Sequence, residues 1–345
     1  MEVDCNIGGG VDGTRGADLD VLEQQVVEAE SLGFDGVWST EVGRDPFLPL
    51  VVAARTSSRL RVGTAVTVAF ARSPMTVASS AYDLQSFSRG RFHLGLGTQV
   101  RAHVVRRYSM PWSEPVPRLR EYVAALRAIW SAWQDDERLD FRGDFYQHTL
   151  MTPMFSPPRH EWGAPPVLIA AVGPRMTALA GEVADGVILH SFTTERFVRE
   201  RSLPLLASDG GSRAFSINLP GLVATGESDE QVSAAAEKVR AQLAFYGATP
   251  AYREVLEHQG WGGLHEELHQ LSQRGDWATM TTLVDDAMLS EFAVVGSPTD
   301  VGREIARRFA SLVDRFTVST PYPLSVGVRR ELVEAARQQR APVAR

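Results

Sequence analysis

The sequence predicts an α/β protein whose parallel strands close into a (β/α)8 TIM barrel carrying insertions. Three observations predict it. Eight short apolar, β-rich runs alternate with longer segments of helical period. Such alternation implies parallel strands joined by right-handed crossovers. The chain has 345 residues, more than the ~250 of a bare barrel, so the excess is expected as insertions within one domain spanning 1–345. Hydrophobic residues make up 44% of the chain, ample for a core of that size. A doubly wound sheet is the alternative architecture.

The strands are expected at Val3–Ile7, Gly36–Thr40, Arg61–Ala69, Phe92–Gly97, Val167–Val172, Gly186–His190, Phe215–Ala224 and Arg315–Ser319. The segments between them are amphipathic. Leu19, Leu22, Val26 and Ala29 form one stripe. Leu119, Tyr122, Val123, Leu126, Ile129, Trp130 and Trp133 form a stronger one, and Ile305, Phe309 and Leu312 a third. Two stretches exceed what crossovers need. Residues 101–165 carry a Pro-rich, Trp-containing loop and an expected hairpin, FRGDFYQHTL. Residues 245–292 are helical and aromatic.

Composition argues against several classes of function. The net charge of −7 is unlike the basic face of a duplex-binding protein. Cys5 is the sole cysteine, which excludes an intramolecular disulfide and a multi-cysteine zinc site. No run of about 18 apolar residues is present to span a membrane. The start MEVDCNIGGG lacks the basic and apolar regions of a secretory signal. The expectation is a cytoplasmic protein with a small organic substrate and neither nucleic acid nor membrane as partner.

In such a barrel the chemistry sits at the C-terminal ends of the strands. The loops to read therefore open near Glu41, Phe70, Thr98, Gly173, His190 and Tyr322. The stretch LIAAVGPRMTALAGEVADGVILH, residues 168–190, breaks a strand at Gly173-Pro174 and opens a helix. Free N–H groups at a helix start suit an anion, though Gly-Pro is also a common plain helix entry. The basic run Arg101, His103, Arg106 and Arg107 follows the turn Gly95-Leu96-Gly97-Thr98. It is either a solvated helix start or an attractor for a polyanion, and cations at a helix start oppose the macrodipole unless an anion binds.

Two motifs have bland readings. Gly8-x-Gly10-x-x-Gly13 matches the dinucleotide fingerprint, but the helical period begins only at Asp18 or Leu19, too late to face a pyrophosphate. His265-Glu266-Glu267-Leu268-His269 matches H-E-x-x-H, yet no third ligand is evident. It reads as a solvated helix face, and no metal is expected.

The segments GFDGVWSTEVGRDPF, VGTAVTVAFARSPMTVA, GRFHLGLGTQVRAH and AAVGPRMTALAGEVADGVILH occur in that order. With AFYGATPAY and HQGWGGL, they make nearly the whole chain resemble the bacterial luciferase-like monooxygenase superfamily. The nearest resemblance is to its branch of oxidoreductases dependent on coenzyme F420, an 8-hydroxy-5-deazaflavin. The resemblance implies a barrel of the bacterial luciferase type and often a homodimer. It implies that Ala171, Val172, Gly173, Pro174, Arg175 and Met176 hold the phosphate end of the cofactor. It implies a non-prolyl cis peptide at Ala65–Val66, with Ala65, Val66 and Thr67 behind the tricyclic ring, and Gly97 and Thr98 beside the ribityl chain. Arg101 and its basic neighbours suit the anionic tail of a deazaflavin better than they suit FMN.

The sequence also departs from relatives. Deazaflavin-dependent sugar-phosphate dehydrogenases of the superfamily carry Asp-His where this chain has Glu41-Val42, and an acidic residue where it has Val100. That mechanism is not expected to transfer, and the luciferase-type histidine pair is absent. The proton donor is sought among Glu41, His103 and His190. The aromatics Phe245, Tyr246, Tyr252, Trp261 and Trp277 either roof an apolar substrate site or serve core packing or a subunit interface. The reading is hydride transfer between coenzyme F420 and a small organic substrate. Its alternatives are an FMN-dependent, oxygen-using monooxygenase and a non-catalytic flavin-binding protein.

Overall fold

The computed structural model describes residues 1–8, 18–207 and 215–339. Eight strands form the ring: β1 (Glu2–Ile7), β2 (Gly36–Ser39), β3 (Arg61–Thr64), β4 (Phe92–Gly97), β5 (Val167–Ala170), β6 (Gly186–Ile188), β7 (Ser216–Thr225) and β8 (Arg315–Ser319). Each pairs parallel with the next, and β8 pairs with β1 to close the barrel. All eight expected runs are strands. The run expected over 61–69 is divided: β3 stops at Thr64, and Thr67–Val68 pairs separately with Leu96 and Gly97 of β4. A further strand, Ala293–Gly296, pairs with the outer half of β7. The expected hairpin is present as Phe141–Arg142 against Gln147–His148.

Helices cover the ring because each turns one apolar stripe inward. In Pro115–Gln134 all seven residues of the strong stripe are buried. Leu22, Val26 and Ala29 are buried in Leu19–Leu32, but Leu19 itself is 66% exposed. It sits at the first helical position, before the stripe reaches the sheet, so periodicity alone placed it wrongly. Ile305, Phe309 and Leu312 are buried as expected. A second apolar cluster lies beyond the ring, where Leu243, Leu256, Leu268, Met280 and Phe292 of the 229–292 helices enclose Phe192 from the β6 exit.

The barrel floor is polar at one point. Asp4 of β1 is wholly buried, and both its oxygens accept from Arg315 of β8, at 2.6 and 2.7 Å. Trp38 Nε1 of β2 donates to the same carboxylate at 2.8 Å. The Trp38 ring occupies the space a Cβ on Gly63 would need and meets the His93 ring edge-on at 6.3 Å. Arg315 also pairs with Glu2. One carboxylate thus joins three strands across the seam where the ring closes.

Removing one member of a buried pair leaves an uncompensated charge, which costs about 3–5 kcal/mol. Arg315→Leu is expected to lower the unfolding free energy by about that amount, measured by urea denaturation. A loss of about 1 kcal/mol or less would show that the seam does not depend on this pair.

Candidate active site

The exits of β2, β3 and β4 are fastened together by Glu41. Its carboxylate is buried, and Oε2 accepts the Val68 N–H at 2.8 Å. Arg72 Nη1 donates to both oxygens at 2.7 and 2.6 Å, and the Tyr108 hydroxyl donates to Oε1 at 2.9 Å. Arg72 also reaches Asp45 at 3.0 Å. Burial pulls the Arg72 pKa down, but bonding to Glu41 and Asp45 outweighs it and the net shift is upward. Burial, then the bond to Glu41, raises that of Tyr108. Both Glu41 oxygens are therefore occupied by chain donors.

The Ala65–Val66 peptide is cis. Gly97 stands beside it: a Cβ there would come 2.6 Å from Val66 Cγ2. Ala65, Val66 and Ala170 are partly buried and pack on Trp38, Leu168 and Ile188, forming an apolar platform inside the mouth. Thr67 is fully buried, and its Oγ1 has no hydrogen-bond partner among the described residues.

The turn after β5 is pinned to β6 by the Ala171 N–H, which donates to Ile188 O at 3.0 Å. Gly173 caps the helix Pro174–Val183 with extended backbone and no side-chain cap. A Cβ built on Gly173 would meet nothing within 4 Å, so the space before this helix start is open. Val172 and Met176 are half-buried; Pro174 and Arg175 are exposed.

Arg101, His103 and Arg106 are exposed on the helix Arg101–Arg106, which starts just past Thr98. Arg107 donates to Val42 O at 2.6 Å, tying this segment to the β2 exit. Val42 and Val100 are both more than half exposed.

His190 closes the exit of β6. Its Nδ1 accepts the Phe192 N–H at 3.0 Å, and its Nε2 lies 2.9 Å from the Tyr252 hydroxyl. Tyr246 abuts the imidazole edge-on at 4.8 Å. Burial lowers its pKa from 6.5 to about 4. Of the expected roof, Tyr246 and Tyr252 reach His190, Phe245 and Trp277 are half exposed, and Trp261 packs on Phe292.

The three residues named as proton donors are thus unlike one another. Glu41 is held by four hydrogen bonds, His103 is exposed, and His190 is buried beside a phenol. Sequence alone does not mark Arg72, Tyr108 and Tyr252 as neighbours of these sites. Arg72 and Tyr252 do stand inside the quoted stretches AFARSP and AFYGATPAY, but nothing local marks their partners.

Of the two motifs, the structure describes only the histidine pair in full. Gly8 has a positive φ of 83°; Gly10 and Gly13 lie outside the described residues. His265 and His269 each place Nδ1 on a carbonyl, of Gly247 at 2.7 Å and Ala248 at 2.9 Å. They satisfy orphan acceptors at the end of the helix Asp229–Gly247. His265 is buried, so the solvated face expected for this motif is corrected at that residue. Among the described residues no group of three or more His, Cys, Asp or Glu could hold a metal ion, and no helix is long and apolar enough to cross a membrane.

Comparison with known proteins places this geometry in a family. Residues 2–315 match the family model described as luciferase-like monooxygenase. An uncharacterized protein of Mycobacterium tuberculosis is 48% identical over 333 residues, 95% of this chain and 96% of its own. A 5,10-methylenetetrahydromethanopterin reductase of Archaeoglobus fulgidus is 26% identical, over 87% of this chain and 89% of its own. The solved coenzyme F420-dependent tetrahydromethanopterin reductase of Methanopyrus kandleri superposes with a TM-score of 0.78 at 20% identity, covering 99% of this chain and 100% of that one. The chain belongs to the luciferase-like monooxygenase family. It is an oxidoreductase of that superfamily.

Two buried histidines give the fold an acid limit. Burial lowers His93 to about 3 and His190 to about 4, from 6.5. Between those values the unfolded chain binds protons that the folded chain refuses, so stability falls as pH drops from about 6.5 toward about 3. Urea unfolding at stepped pH is expected to show this slope, and His190→Gln to shorten it. An imidazole NMR titration placing His190 near 6.5 would contradict the account.

Proposed function

We propose that this protein transfers a hydride between coenzyme F420 and a small organic substrate. One observation carries the choice of cofactor. Arg101 and Arg106 make no ion pair among the described residues, in a chain of net charge −7. Unpaired cations of this kind suit a cofactor whose tail is anionic well beyond its phosphate. The reductase similarity supports the same reading.

The residues present fit such a group. The open helix start at Gly173 would receive its phosphate, with Arg175 adding a charge. The platform of Ala65, Val66 and Ala170 would back the ring, with Gly97 and Thr98 beside the ribityl chain. Thr67 offers an orphaned hydroxyl next to that platform. When bound, the deazaflavin supplies a two-electron hydride centre, while the protein supplies orientation and a dry pocket. Glu41 acts through Arg72, Val68 and Tyr108, holding three loops at the rim. Occupation of Glu41 by chain donors leaves the β6 exit as the better source of a proton.

Parallel titrations with coenzyme F420 and FMN, followed by fluorescence, test this. Tight F420 and weak FMN binding are expected. Arg101→Ala with Arg106→Ala should weaken F420 roughly tenfold, about 1.4 kcal/mol, and salt should mimic the loss. Preferred FMN binding would move the protein to the oxygen-using branch. Binding of neither would refute the Gly173 cradle.

A further inference from the structure

We propose that Tyr252 is the catalytic proton donor, that His190 is its positioning residue, and that the substrate is accordingly a carbonyl compound reduced to an alcohol. The inference rests on the hydride-transfer reading above and adds the substrate class and the acid. Hydrogen-bond accounting carries it. His190 Nδ1 accepts the Phe192 N–H at 3.0 Å, so Nδ1 bears no proton. A neutral imidazole then carries its proton on Nε2. Nε2 faces Tyr252 Oη at 2.9 Å, so His190 donates and Tyr252 accepts. The phenol's own proton is left with no acceptor among the described residues. Its ring is only partly buried, above a strand exit pinned to the cofactor turn through Ala171 and Ile188. A donor without an acceptor, held at a barrel strand exit, is what a developing alkoxide requires.

Burial, then Tyr246, pushes the Tyr252 pKa well above its ordinary value, so the phenol is protonated at neutral pH. When a hydride reaches the carbonyl carbon, the C=O π pair moves onto oxygen. The Tyr252 O–H bond breaks and its proton passes to that oxygen, giving the alcohol. The released pair stays on Oη, where His190 Nε2–H already donates, and water returns the proton. The carbonyl is reduced by two electrons and the deazaflavin is oxidised by two. His190 remains neutral throughout.

The test uses full-length protein loaded with reduced coenzyme F420 and 2,2,2-trifluoroacetophenone as carbonyl probe, in single turnover. Wild type is expected to outpace the free cofactor. Tyr252→Phe should slow it roughly 100-fold with cofactor affinity unchanged. His190→Leu should match Tyr252→Phe, while His190→Gln, which keeps a donor, should be intermediate. Independently of turnover, 15N-histidine NMR should find the His190 proton on Nε2, and that resonance should shift in Tyr252→Phe. A wild type no faster than free cofactor, or a Tyr252→Phe rate within roughly twofold of wild type, overturns the proposal. So does a proton found on Nδ1, even without cofactor. If F420 fails to bind at all, the titrations above report that as failure of the cofactor reading instead.

Discussion

The rest of the structure depends on the buried contact among Asp4, Arg315 and Trp38. A closed barrel must join its last strand to its first, and here an ion pair with both carboxylate oxygens occupied reinforces the backbone pairing. The indole bonded to it fills the floor, and the neighbouring strand must give way, which is why position 63 is glycine. The same accommodation recurs higher up. Gly95 lies against Thr64, whose hydroxyl bonds both the N–H and the carbonyl of Gly95. Gly97 lies against Val66 beside the cis peptide. Each layer sets the height of the next, and the platform at the mouth is the top layer of a stack that begins at Asp4. Interiors packed this closely transmit displacement.

Around that platform the chain places two kinds of chemistry. On the side of β2 to β4, Glu41 spends its acceptors on holding loops. On the side of β5 and β6, donors are left over: the bare helix start at Gly173 and the phenol of Tyr252. Free donors are costly to bury without partners; the space before the Gly173 helix start is open and the Tyr252 side chain is only partly buried. On the hydride-transfer reading proposed above, the division accounts for the absence of a histidine at position 42 and an acid at position 100, since the cofactor would carry the difficult chemistry.

Where residues and structure diverged, the cause was distance along the chain. Glu41 reads as a free acid because its partners Arg72 and Tyr108 lie 31 and 67 residues away. The H-E-x-x-H histidines read as a solvated face because the carbonyls they cap belong to another helix, 18 and 21 residues back. His190 reads as a proton-donor candidate with no marked partner because Tyr252 is 62 residues on. No local period or spacing encodes such pairings.

The sequence by itself determined the eight ring strands, though not the break after Thr64 or the added strand Ala293–Gly296, and with them the buried stripes of the helices, the hairpin and the family. These follow from periods of two and 3.6 residues and from turn chemistry, which act over a few neighbours. It also determined where to look, since a parallel barrel puts its chemistry at the strand exits. Only the tertiary structure decided which polar groups at those exits were already satisfied and which were left free. Hydrogen-bond satisfaction is a property of groups brought together in space, and here it separates an anchoring glutamate from a phenol whose proton has no acceptor among the described residues.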